Sequence, residues 1–117
     1  MNKLLIIIAL FLGISCQAQD SKVISASEFK KGIQNKDAQL IDVRTPEEYK
    51  SGHIKNAKNI DYNGANFKTQ MAKLDKTKPV YVYCAAGGRS AKAAKVLTEL
   101  GFKKVFDLKG GYGSWNE

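Results

Sequence analysis

Histidine is almost missing from this chain. Of its 117 residues one is histidine, His53, and two are cysteines, Cys16 and Cys84. A closed zinc site needs four ligands, so this supply argues against a metal centre built on Cys and His. Internal repeats are absent, which leaves one domain long enough for a single core. No apolar run is long enough to span a bilayer. The run Leu4–Ile14, broken only by Gly13, has eleven residues, against the roughly 20 a spanning helix needs. Acidic residues are few, 11 against 19 basic ones, for a formal net charge of +8. The lysines are nevertheless scattered from Lys22 to Lys109. Nucleic-acid binding concentrates its charge and adds a motif, and neither is present, so no nucleic-acid partner is expected. A positive field does suit small anionic substrates.

The first residues read as a leader rather than as part of the fold. Lys3 precedes the apolar run, whose length fits a signal-peptide core. Two cleavage routes are open. Leu12-Gly13-Ile14-Ser15-Cys16 is similar to a lipobox, which makes residues 1–15 a lipoprotein signal and Cys16 a lipidated first residue. Cys16-Gln17-Ala18 instead fits a small-x-Ala site, which makes residues 1–18 a signal peptide and the product soluble. Either route predicts export to the bacterial periplasm or envelope, with a membrane contact only through a lipid on Cys16. Either also leaves Cys84 as the one free thiol of the domain over 22–117, and a lone thiol in an exported protein is a candidate reactive group.

Cys84-Ala85-Ala86-Gly87-Gly88-Arg89-Ser90 is the stretch around which the chain is organised. An apolar β-rich run, Val80–Tyr83, delivers the thiol, and a helical pattern from Ser90 to Leu100 follows the loop. Backbone N–H groups of such a loop can converge on sulfur, and the helix N-terminus adds positive potential. An unperturbed thiol of pKa ~8.5 is about 3% ionised at pH 7, and a downward shift of two units raises that to about three-quarters. The alanines and glycines are expected to keep bulk away from the loop centre, and the glycines to permit turns toward an anion.

Elsewhere the pattern alternates strands and helices. Val23-Ile24 reads as an edge strand. Ser27 is the expected cap of a helix running to about Gln34, with Phe29 and Ile33 inward. Gln39–Arg44 has the continuous apolar centre of a buried parallel strand. Thr45 and Pro46 open the next helix. Ala57–Ile60 is a third strand. Phe67, Met71 and Leu74 keep helical spacing. Gly101 ends the last helix, with Phe102 closing it. Val105–Leu108 is the last strand, on which Asp107 reads as a surface or capping residue. This alternation predicts an α/β fold, a parallel sheet of about five strands with helices on both faces, and a site at the carboxyl ends of the strands. Asp42 stands at such an end and is expected to orient the loop by accepting N–H bonds. Arg44 is expected to pair with Glu48 across the strand–helix junction.

The loop reads Cys-x-x-Gly-x-Arg. With Asp42-Val43-Arg44, Glu48-Tyr49, Gly52-His53-Ile54 with Ala57 and Ile60, and the closing Lys109-Gly110-Gly111-Tyr112-Gly113-Ser114-Trp115, it resembles the rhodanese homology domain. The resemblance runs from Val23 to Trp115. One departure is Lys55-Asn56, where the family has Pro-Gly; Asn accepts the left-handed turn that Gly would take. The resemblance implies a single-domain sulfurtransferase in which Cys84 carries a persulfide. It implies a small anionic sulfur donor such as thiosulfate or a persulfide, and a thiol or cyanide acceptor. No cofactor or metal is required, and a monomer is expected. Ala85 to Ser90 would cradle the persulfide, Arg89 would brace the loop or offset donor charge, and Ser90 would add a hydroxyl and cap its helix. Asp42 and Arg44 would support from behind. In this family the Gly-His-Ile histidine packs and hydrogen-bonds, so His53 is expected to be structural. The rival readings are a sulfur-carrying module without efficient turnover, and a cysteine-dependent phosphatase or arsenate reductase. The last has five residues between cysteine and arginine where this chain has four.

Overall fold

The computed structural model describes residues 21–116. The segment expected to be a leader, Cys16 included, lies outside the described residues. Five strands form one sheet: β1 (Lys22–Ile24), β2 (Gln39–Asp42), β3 (Lys58–Asn59), β4 (Val80–Tyr83) and β5 (Val105–Leu108). The order across the sheet is β1-β5-β4-β2-β3, every pair parallel. β4 is central and all four of its residues are buried. Its valines and tyrosines are strand formers that pack well on a pleated surface. The third strand is shorter than the sequence pattern suggested, with ladder pairing only at Lys58 and Asn59.

Four helices cover the sheet: α1 (Ala26–Gly32), α2 (Pro46–Ser51), α3 (Phe67–Ala72) and α4 (Gly88–Glu99). The period-2 alternation of the strands divides the core in two. Val80, Val82, Ile41 and Val105 meet Phe67 and Met71 of α3 and Ala93, Ala94 and Leu97 of α4. On the opposite face Tyr81, Tyr83, Leu40 and Leu108 meet Phe29 of α1, with Tyr49 of α2 and Trp115 packed against them.

The helix starts explain themselves chemically. α1 is capped by Ser25, not by Ser27: Ser25 stands three residues before Glu28, and the two close a reciprocal capping box. Ser27 lies inside the first turn. Thr45 and Glu48 make the same box at α2, with Pro46 in the first turn. α4 begins at Gly88, two residues before the expected start, with Gly87 as its cap and no side-chain cap bond. Ser90 is therefore a buried residue of the first turn rather than a cap. At the far end Phe102 N–H returns to Leu97 O at 3.1 Å and buries its ring. Asn56 takes φ 73°, the left-handed turn expected of it.

Candidate active site

β4 ends at Tyr83, and the next residue is the thiol. Cys84 is 1% exposed. Its Sγ receives Gly87 N–H at 3.0 Å and lies 3.4 Å from Ser90 Oγ. Ser90 Oγ also donates to Gly87 O at 3.2 Å, so one hydroxyl ties the helix's first turn to the loop. Gly87 can aim its N–H at sulfur because its φ is 124°, a region closed to most side chains. Burial alone would raise the thiol's pKa. The Ser90 hydroxyl and the N–H groups of Ser90, Gly87 and Ala86 outweigh it, and the pKa falls below the usual thiol value. Gly87 and Gly88 face open space: a methyl group on either would meet nothing within 4 Å. Bulk at the loop centre is thus not what these glycines avoid. At Gly87 the backbone angle is the requirement.

The loop is clasped from the other side by the C-terminal turn. Tyr112 N–H donates to Cys84 O at 2.7 Å, and Gly113 N–H to Ala85 O at 3.0 Å. This approach requires Gly111, since a Cβ there would fall 2.6 Å from Cys84 O and from the Ala85 carbonyl. Of the closing glycine pair it is thus Gly111 that sits against the loop, while a Cβ on Gly110 would meet the Ser114 side chain.

Two ion pairs hold the site, and neither is the expected one. Arg44 pairs with Asp42, not Glu48: its Nη2 lies 2.7 Å from Asp42 Oδ2, and its Nε 3.0 Å from Oδ1. Asp42 and Arg44 are two apart on extended chain and so share a face. Asp42 is fully buried, accepts this guanidinium and Arg44 N–H at 2.9 Å, and makes no hydrogen bond to the Cys84–Ser90 loop. Arg44 reaches onward to Gly52 O at 2.7 Å, and its guanidinium lies 4.5 Å from the Tyr112 ring centroid. The pair thus supports the turn that clasps Cys84 O. Burial opposes the charge on Arg44, but the hydrogen bonds it donates to Asp42, and the charge of that carboxylate, win and its pKa rises.

Glu48 belongs instead to Arg89. The guanidinium spans both carboxylate oxygens, at 2.7 and 3.1 Å. The Arg89 bonds, then Thr45 N–H, pull the Glu48 carboxyl down to about 2. This pair braces the loop's arginine against α2, which leaves Arg89 near the sulfur as a fixed positive charge. Tyr83 turns to the opposite face and accepts Ile54 N–H at 3.0 Å; burial raises its hydroxyl pKa. His53 stacks on Tyr49, centroids 3.7 Å apart, with Nδ1 at 2.8 Å from Tyr49 O. It makes no contact with the thiol.

One group near the site was misplaced from sequence. Asp107 is not a surface residue: it is 3% exposed, and burial raises its pKa. The alternation Val105-Phe106-Asp107-Leu108 carried the signal, since Asp107 shares a face with buried Val105. A surface groove lined by Lys30, Leu40, Ile54 and Trp115 includes no loop residue. Among the described residues no cluster of three or more His, Cys, Asp or Glu could hold a metal ion.

The arrangement is a buried thiol, beside loop N–H groups, at the end of a central parallel strand. The Rhodanese-like domain model matches residues 25–117. The chain belongs to the rhodanese-like family. It is 38% identical over 94 residues to thiosulfate sulfurtransferase GlpE of Coxiella burnetii, covering 80% of this chain and 86% of that protein. It is 36% identical over 106 residues to tRNA uridine(34) hydroxylase of Pelagibacter ubique, covering 90% of this chain but 35% of that protein. Among solved structures, a rhodanese-related protein of Thermoplasma volcanium superposes with a TM-score of 0.70 at 34% identity, covering 80% of this chain and 89% of that one. The α/β fold is therefore the rhodanese-like one. Family membership supports sulfurtransferase-type activity in general, while the relatives' names differ in their specific reactions.

Proposed function

We propose that this protein moves sulfane sulfur from an anionic donor, thiosulfate or a persulfide, to a thiophilic acceptor through a persulfide on Cys84. The cycle is a double displacement. Cys84 thiolate attacks the outer sulfur of thiosulfate, the S–S bond of the donor breaks, and sulfite leaves with the electron pair. The enzyme holds Cys84–S–S⁻. An acceptor thiolate or cyanide then attacks the terminal sulfur, and Cys84 leaves as thiolate. No external oxidant or reductant is needed.

The observation that carries this reading is Gly87 N–H on the sulfur at 3.0 Å within a loop whose N–H groups lower the thiol's pKa. Donors fixed in advance around a developing anion stabilise it without reorganisation. Arg89, held by Glu48, adds positive potential, and the net charge of +8 favours anionic donors. Loop length supports sulfur over phosphate. Four residues separate Cys84 and Arg89. One residue fewer than in the oxyanion-binding loops shortens the ring by up to about 3.3–3.6 Å of backbone, which suits one sulfur atom better than a tetrahedral anion. The test is turnover of thiosulfate plus cyanide beside an aryl phosphate. Sulfur transfer should dominate and vanish in Cys84→Ser. Faster turnover of the phosphate, or full sulfur transfer in the mutant, would overturn the reading.

A further inference from the structure

Lysines that lie far apart in sequence are gathered by the fold. Strands β1, β2, β4 and β5 start level with one another: Lys22 pairs with Phe106, Val80 with Val105, and Gln39 with Val80. The segments that lead into these strands therefore share one end of the sheet. They carry Lys22, Lys36, Lys76, Lys78, Lys103 and Lys104, all exposed. Contacts tie the segments together. Val80 N–H donates to Lys104 O at 2.9 Å, and the Gln39 side chain donates to Asp75 O at 2.9 Å. Lys76 Nζ lies 5.2 Å from the Phe102 ring centroid. Because the strands are parallel and Cys84 follows the last residue of β4, the thiol is at the opposite end.

The lysines at this end outnumber their counter-charges. Asp37, Asp75 and Glu99 are the acids here. Asp37 and Lys78 stand 3.8 Å apart, both about half-exposed, so solvent screens the pair. Asp75 directs its carboxylate to the Thr77 N–H and hydroxyl, at 2.9 and 2.6 Å. The last turns of α1, α3 and α4 also point this way and add partial negative charge. Lys76 answers one of them, with Nζ 3.4 Å from Ala72 O. Lys22, Lys103 and Lys104 make no ion pair among the described residues. These three border one groove of about 450 Å³ that Tyr81 and Phe106 also line. The two rings stack there, centroids 4.9 Å apart. At the thiol end, by contrast, Arg44 is matched by Asp42 and Arg89 by Glu48.

We propose that this lysine-bearing end docks the domain on an anionic phospholipid surface, with the thiol end turned away from it. A spread of flexible ammonium groups fits a fluid layer of phosphate headgroups, whereas one discrete anion is better held by a planar fork of donors, which this face lacks. Aromatic rings beside the lysines suit the boundary between headgroups and acyl chains. The place of the N-terminal segment agrees. Residues 1–20 join the domain at Ser21, beside Lys22. The chain from Cys16 to Lys22 reaches about 20 Å at full extension, so a lipid on Cys16 would hold this same end toward the bilayer. Charge alone gives reversible binding, and a lipid added to it gives stable anchoring. The docking depends neither on that lipid nor on sulfur transfer at Cys84.

Lysine footprinting on the full chain tests the face. Acetylation by a water-soluble reagent, read residue by residue by mass spectrometry, is compared between two kinds of vesicle. One is equal parts phosphatidylglycerol and phosphatidylcholine; the other is phosphatidylcholine alone. The N-terminal segment is the same in both arms, so the difference reads the domain. With the anionic vesicles Lys22, Lys103 and Lys104 should lose labelling in proportion to the fraction bound. Lys92 and Lys109, exposed near the thiol end, should label as before. Equal labelling in the two arms, or equal protection of Lys92 and Lys109, overturns the proposal. Co-sedimentation at low ionic strength supplies the second measurement. Lys22→Gln, Lys103→Gln and Lys104→Gln together should weaken binding to the anionic vesicles about a hundredfold, or about fivefold for each lysine near the surface. Binding to phosphatidylcholine should not change, and the parent's preference for anionic vesicles should shrink as salt is raised. An undiminished affinity of the triple variant contradicts the docking face. Stronger protection of the same lysines by a DNA duplex than by the anionic vesicles would also overturn it, in favour of a nucleic-acid surface.

Discussion

Two buried aspartates flank the strand that carries the thiol, and they live in opposite electrostatic worlds. Asp42, on β2, is 0% exposed and faces the Tyr83 side of the sheet, where Arg44 fills its carboxylate. Asp107, on β5, is 3% exposed and faces the α4 side, where one oxygen has no partner. Burial is the same; the partner differs. A paired interior charge ties segments together, whereas an unpaired one favours its neutral form. Asp42 thereby serves architecture, through Arg44 to Gly52 and Tyr112. Asp107 leaves one buried oxygen unsatisfied.

The comparison breaks most visibly at Arg44. Arg44→Ala turns Asp42 into a second unpartnered acid and also removes the guanidinium from under Tyr112. Breaking a buried pair costs about 3–5 kcal/mol, and denaturant unfolding of the purified variant should show a loss of that size. Arg44→Met, tested together with Asp42→Leu, should recover part of it, because an apolar replacement removes the orphaned charge.

The next effect belongs to the turn that this pair supports. Gly111→Ala drives a methyl group to 2.6 Å from the Cys84 and Ala85 carbonyls, at a φ of 62°. Overpacking and backbone strain together should cost about 2–4 kcal/mol. The Tyr112–Cys84 clasp should open, so the thiol should alkylate with altered rate in the folded fraction. An unchanged midpoint of unfolding would show that the clasp is unimportant.

Glu48 gives the smallest effect and the clearest pH signature. Its pair with Arg89 is partly exposed, so solvent screening keeps its contribution to under about 1 kcal/mol. The Glu48 pKa is lowered to about 2. The contribution is therefore complete above the ordinary carboxylate range and is lost as pH falls toward that value. Glu48→Gln should be slightly less stable than the parent at neutral pH and converge with it in acid. Asp107 has the opposite sign, because its pKa is raised. It weakens the folded state as pH rises through its folded-state pKa, and Asp107→Asn should be the more stable protein there. Parallel pH–stability curves for these two variants would contradict the contrast.

Much of this was legible in sequence because it is local. The order of strands and helices follows from apolar periodicity. The Cys84–Ser90 loop announces itself by small residues between a β-rich run and a helical one. Asn56 could be read because asparagine tolerates the left-handed turn it takes. The ion pairs could not be read correctly. Arg44 has two acids within reach along the chain, Asp42 and Glu48, and the choice depends on which face of the extended segment is buried. Arg89 finds Glu48 41 residues away, a contact created by the sheet order alone. Asp107 was misjudged for a different reason. Charge argued for the surface, while the period of two argued for the core, and in a central part of the sheet the period prevailed.

The most direct test of the account is the intact mass of the purified domain after brief treatment with thiosulfate and removal of excess reagent. The account predicts a gain of one sulfur atom, mapped by peptide analysis to Cys84, discharged by cyanide, and absent in Cys84→Ser. No added sulfur on folded protein, or an equal gain in Cys84→Ser, would contradict it.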